Sequence, residues 1–143
     1  MMLSMKFDFG TIDAAMLKKL IAERDGMLKY RVSGHFVVSV DSRLFFDDEY
    51  FNIFEFIEDF RRFGFSSDGY SFTTVDFDGP ILEFEKSGNG FALKSVWADS
   101  DAETTGDEIM RAYDNLCSDA DRYLAENFGR SLEYVMKLCG LKS

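Results

Sequence analysis

The chain has 143 residues, of which 46% are hydrophobic and 29% charged, which fits one domain around one core. Its formal net charge of −10 argues against nucleic acid as a partner, because phosphate binding rests on cationic contacts. Anionic membrane surfaces are disfavoured for the same reason. A basic protein partner is favoured, since opposite fields raise encounter rates.

The opening residues Met1-Met2-Leu3-Ser4-Met5-Lys6 carry no secretory apolar stretch and no cleavage site. No apolar run approaches the roughly 18 residues that a membrane span needs. The expected location is the cytoplasm. Residues 11–25 predict a helix with Thr11 as N-cap, a stripe of Ile12, Met16, Leu17, Leu20 and Ile21, and Gly26 as its stop. Residues 27–41 predict strand. Leu28, Tyr30, Val32, Phe36, Val38 and Val40 alternate with Lys29, Arg31, Ser33, His35, Ser39 and Asp41. Gly34 is then either a hairpin turn that pairs Val32 with Phe36, or a bend in one long strand.

Residues 48–63 predict the strongest helix. Tyr50, Ile53, Phe54, Ile57 and Phe60 share a face that Phe51, Phe56 and Phe63 widen, so the helix should be buried on most sides. Asp47, Asp48 and Glu49 open it, where they suit the helix dipole. Residues 70–98 predict a three-stranded meander with turns at Asp78-Gly79 and Asn89-Gly90, and with Pro80 first in its strand. The pairing gives a core face of Val75, Phe77, Leu82, Phe84, Phe91, Leu93 and Trp97. The other, wetter face carries Tyr70, Phe72, Asp76, Glu83, Glu85 and Lys94.

Residues 99–108 predict a hydrophilic loop that ends in a capping box, Thr105 with Glu108. The helix that follows carries Ile109, Ala112, Tyr113, Leu116, Ala120, Tyr123 and Leu124 at helical spacing, and stops at Gly129. Ser131 caps a last short helix with Leu132, Val135, Met136 and Cys139 inward. The expected fold is one α+β domain over residues 1–143. It has an antiparallel sheet of about five strands (a hairpin plus the meander) with helices packed mainly on one face.

No phosphate-binding, nucleophile-elbow or zinc-protease motif is present. The one histidine, His35, reads as an exposed turn residue. Asp99, Asp101 and Glu103 have the first oxygen-ligand spacings of a calcium loop, which fails at Thr104 and Met110. Cys117 and Cys139 read as free thiols, and with one histidine they are too few for structural zinc. Neither a metal nor a cofactor is expected, and catalysis is not. Carboxylates beside aromatics on a sheet face suit a protein interface. The partner-binding candidates are therefore Asp76, Asp78, Glu83, Glu85, Asp99, Asp101, Glu103, Tyr70 and Phe72. A helix covering Tyr70 and Phe72 is an equally simple reading. Oligomeric state is left open.

The segments YFNIFEFIEDFRRF and YSFTTVDFDGPILEFEKSGNGFALKSVW, then an acidic loop and a C-terminal helix, resemble small bacterial immunity proteins. These are the antidotes of polymorphic or contact-dependent toxin systems. The resemblance covers roughly residues 27–126 and is one of layout: hairpin, aromatic helix, meander, acidic helix. It implies a cytoplasmic antidote that binds one cognate toxin domain, often a nuclease and basic around its cleft. The alternatives are another protein-interaction or assembly module and, less favoured, a small-ligand binder or enzyme.

Overall fold

The computed structural model describes residues 2–64, 66, 68–73 and 80–140. Its described part is α+β, with seven strands in two antiparallel sheets rather than about five strands in one. The first sheet contains β1 (Leu3–Asp8), β2 (Gly34–Val40) and β3 (Arg43–Phe51), in that order. The second contains β4 (Gly69–Phe72), β5 (Leu82–Ser87), β6 (Gly90–Lys94) and β7 (Ala102–Thr104), also in chain order. The helices are α1 (Ala14–Ala22), α2 (Leu28–Arg31), α3 (Ile53–Phe63), α4 (Gly106–Phe128) and α5 (Leu132–Gly140).

The N-terminal strand is the largest departure from the sequence reading. Leu3, Met5 and Phe7 pair with Val40, Val38 and Phe36, and all six are buried. Alternation on β1 therefore matches alternation on β2 and closes one side of the core. Residues 27–33, expected as strand, instead contain the single turn α2. Leu28 and Val32 are buried there while Tyr30 and Arg31 are exposed, a spacing of four that suits a helical turn as well as a strand.

Gly34 is neither a turn nor a bend but the first residue of β2. A side chain there would meet Thr11 Oγ1 at 2.6 Å and Phe7 Cζ at 2.7 Å, so glycine serves close approach. The true hairpin turn is Asp41-Ser42, with φ of 52° and 66°, the left-handed pair that a two-residue loop requires. Thr11 does not cap α1. Asp13 does, accepting from the Met16 N–H at 3.0 Å. The Thr11 hydroxyl instead donates to the Asp8 carbonyl at 2.6 Å and accepts from the His35 N–H at 2.9 Å.

The aromatic helix starts later than expected. Asp47, Asp48, Glu49 and Tyr50 belong to β3, and Tyr50 is 78% exposed. On α3 itself Ile53, Phe54, Phe56, Ile57 and Phe60 are buried. Phe63, at its end, is 70% exposed and does not widen the buried face. Phe56 sits at the centre of the core, with its ring within 6.4 Å of those of Phe36, Phe51, Phe60, Tyr70, Phe72 and Tyr113. Phe36 stacks on Phe51 at 4.2 Å, and Phe60 on Tyr113 at 4.1 Å. These contacts tie both sheets to α3 and α4.

The meander forms with a different register. Tyr70 pairs with Phe84 and Phe72 with Leu82, so the connection after β4 is longer than a tight turn at Asp78-Gly79. The expected pairing of Val75 with Leu82 is replaced by Phe72 with Leu82, and Val75, Phe77 and the Asp78-Gly79 turn lie outside the described residues. The second turn is Gly88-Asn89, because Ser87 pairs with Gly90 and Phe84 with Leu93. That is a shift of two residues from an Asn89-Gly90 turn, and it preserves the facing of both strands. Pro80 precedes β5, which begins at Leu82, and Trp97 lies past the end of β6.

The hydrophilic stretch 99–108 contains a strand, β7. Thr105 caps α4 by accepting from the Glu108 N–H at 3.2 Å. Glu108 also accepts from the Leu3 N–H at 3.0 Å, while Arg111 donates to the Leu3 carbonyl at 2.8 Å, which fastens α4 to β1. Gly129 ends α4 at a φ of 64°, and Ser131 Oγ accepts from the Tyr134 N–H at 3.1 Å at the start of α5.

Candidate protein-binding face

A strand shows successive side chains to opposite faces, and the register of the second sheet sorts the predicted residues on that basis. Tyr70 and Phe72 are 7% and 1% exposed and point into the core with Leu82, Phe84, Phe91 and Leu93. The expectation that they share a wet face with carboxylates is therefore corrected: the longer connection after β4 places them opposite Phe84 and Leu82. The Tyr70 hydroxyl donates to Asp59 at 2.5 Å on α3. Burial first, then that bond, push the Tyr70 hydroxyl far above the ordinary phenol range.

Glu83, Glu85, Asp101 and Glu103 do come together. Glu83 pairs with Lys94, Glu85 with Ala92, and Ala92 with Glu103, so all lie on the outer face of the sheet. Lys94 bridges them, with its ammonium 2.8 Å from Glu85 and 3.7 Å from Asp101. The bond to Glu85 holds the Lys94 ammonium above the ordinary lysine range. Asp99 is exposed just before β7. Asp76 and Asp78 lie outside the described residues.

Of the calcium-like trio Asp99, Asp101 and Glu103, only Glu103 falls on the extended strand β7, while Asp99 and Asp101 precede it, and Asp101 lies 3.7 Å from the Lys94 ammonium. Among the described residues no cluster of His, Cys, Asp and Glu is suited to a metal. His35 lies in β2, not in a turn, with Nε2 3.7 Å from the Asp47 carboxylate. Both cysteines are free thiols, and burial pushes Cys139 up to about 11.

The sequence reading missed the other wall of this face. The end of the β2–β3 hairpin contributes Asp41, Arg43, Leu44 and Phe45 to an open groove of about 730 Å³, whose opposite wall includes Ala92, Asp101 and Glu103. Leu44 is 62% exposed beside it. The signal was the run Asp41-Ser42-Arg43-Leu44-Phe45-Phe46, which alternates poorly and has no glycine to mark its turn. Ala92 is short, and it lies between Glu85 and Glu103 in the ladder. That shortness leaves room above the strand.

A second polar cluster is structural. Lys29 is buried and its ammonium lies 3.5 Å from Glu58, which also pairs with Arg62. The Tyr113 hydroxyl donates to the Ile57 carbonyl at 3.1 Å. These groups join α2, α3 and α4.

The molecule is thus an α+β protein with an aromatic core inside and a groove with acidic residues on its walls outside. The chain belongs to the family described as "Domain of unknown function (DUF7878)", whose model matches residues 5–126. That span runs from β1 through most of α4 and contains both walls of the groove. No curated protein and no solved structure matches the chain.

Proposed function

We propose that the protein is an immunity protein, a cytoplasmic antidote that binds and neutralises a cognate bacterial toxin domain of basic character. The observation that carries this reading is the convergence of Glu83, Glu85, Asp101 and Glu103 on one open sheet face beside the exposed Leu44. The resemblance in layout to antidotes of polymorphic and contact-dependent toxin systems supports it. Among the described residues, no helix is long and apolar enough to cross a membrane. The protein acts by occupancy: an acidic face is steered to a cationic cleft such as that of a nuclease, and competes there with phosphate. No turnover is involved.

Affinity capture from the native bacterium, followed by expression of the captured protein with and without this chain, tests the reading. The expected result is a captured domain that arrests growth alone and is silenced by this chain. A stable captured partner without toxicity would make the protein an interaction or assembly module instead.

A further inference from the structure

We infer that the groove between the hairpin end and the outer face of β6–β7 seats a basic segment of a partner protein, with a lysine or arginine side chain over Ala92 and an apolar neighbour covering Leu44. This rests on the binding reading above and gives it a location and a chemistry.

Three observations carry it. The first is size. The groove, at about 730 Å³, is well above three other hollows, of about 250, 280 and 140 Å³. The second is charge. Asp101 and Glu103 line it opposite Arg43, while Asp41 on the same wall is already engaged by the Met2 N–H at 2.7 Å. Lys94 is engaged by Glu85 and Asp101, while Glu103 has no ion-pair partner among the described residues. An incoming cation would meet an under-compensated wall, and a basic segment is the complementary occupant. The third is apolar exposure at the same place: Leu44, 62% exposed, adjoins the half-buried Phe45. An apolar anchor ringed by charge is the composition of an interface centre.

The rival acidic surface is the solvent side of α4, with Asp107, Asp114, Asp119, Asp121 and Glu126. It also carries an exposed apolar residue, Met110 at 39%, but its acids line none of the four hollows above. Asp119 pairs with Arg122, and Asp121 accepts from the Leu132 N–H at 2.8 Å. A helix face is convex, and it offers no hollow for a long side chain.

The probe is a soluble synthetic peptide of repeated arginine-leucine-glycine, titrated into the full chain and followed by amide chemical shifts. Saturable changes are expected at Arg43, Leu44, Ala92 and Asp101 to Glu103. The pair Asp101→Asn with Glu103→Gln should weaken binding about tenfold, and Leu44→Ser about threefold. The pair Asp114→Asn with Glu126→Gln, an equal charge change on α4, should leave it unchanged. Shifts spread along α4, equal weakening by the α4 pair, or no saturable binding would overturn the assignment. The two proposals fail separately. A captured toxin bound equally well by the groove variants removes the groove and keeps the antidote. A non-toxic partner lost on groove substitution does the reverse.

Discussion

The inner and outer faces of the second sheet are built from the same three strands, β5, β6 and β7, yet they are opposite in composition. The inner face carries Leu82, Phe84, Phe91 and Leu93, all at most 6% exposed. The outer face carries the exposed Glu85 and Glu103 and the half-buried Glu83 and Lys94, with the exposed Asp101 just before β7. Period-2 alternation makes this division possible within single strands. Fold stability should therefore reside on the inner side, and the proposed partner recognition on the outer one. Substitutions test how clean the division is.

The largest effect is expected at the centre of the aromatic core. Phe56→Ala removes a fully buried ring that touches both sheets and α4. It should destabilise the protein by about 3–5 kcal/mol, seen as a lower midpoint in urea unfolding. If the loss were below about 1 kcal/mol, the core would not be organised around that ring.

Next is a polar group inside the same core. Tyr113→Phe deletes the bond to the Ile57 carbonyl and keeps the ring that stacks on Phe60 at 4.1 Å. A loss of about 1 kcal/mol is expected by the same assay.

A smaller effect, with a definite sign, concerns Asp59 at the border of core and surface. Burial, set against the Tyr70 hydroxyl bond, raises its carboxyl above the ordinary range. The folded chain then holds that proton more tightly than the unfolded chain does. The associated stabilisation is full below the ordinary carboxylate range and is lost as pH rises through the elevated folded value. Unfolding of the wild type and Asp59→Asn, measured across acidic to neutral pH, should show the wild type losing ground to the variant as pH rises. An opposite trend would mean that the Tyr70 bond outweighs burial.

The division between faces was only half legible in the sequence. Parity in the second hairpin was readable because any even loop gives the same facing, so Glu83 and Glu85 were placed correctly opposite Leu82 and Phe84. The length of the connection after Phe72 was not readable. The Asp78-Gly79 pair suggested a tight turn, and that choice sent Tyr70 and Phe72 to the wrong face. The strand Leu3–Asp8 was hidden because six residues with Lys6 and Ser4 among methionines carry weak β-propensity. Pairing with β2 creates it. Helix α2 was hidden because four residues satisfy both periods. The Leu44 wall was hidden because Asp41-Ser42 adopts left-handed geometry without glycine. The long helix α4, by contrast, was readable from Thr105 to Gly129, since its cap, stripe and stop all agree.

The smallest effect on stability should come from the groove itself, and there the comparison is sharpest. Asp101→Asn with Glu103→Gln removes the 3.7 Å pair of Asp101 with Lys94, which is a surface pair and worth little. It also removes two like charges from a face that already carries Glu83 and Glu85, and relief of that repulsion acts in the opposite direction. The two contributions nearly cancel, so the unfolding free energy should change by less than about 0.5 kcal/mol. Salt should then matter less for the variant than for the wild type, because fewer exposed charges remain to be screened. A large loss of stability would show that the acidic wall helps hold β7 against the sheet, and the outer face would then serve structure as the inner one does. An unchanged fold with weakened binding of the basic peptide would leave recognition as the consequence of those two carboxylates.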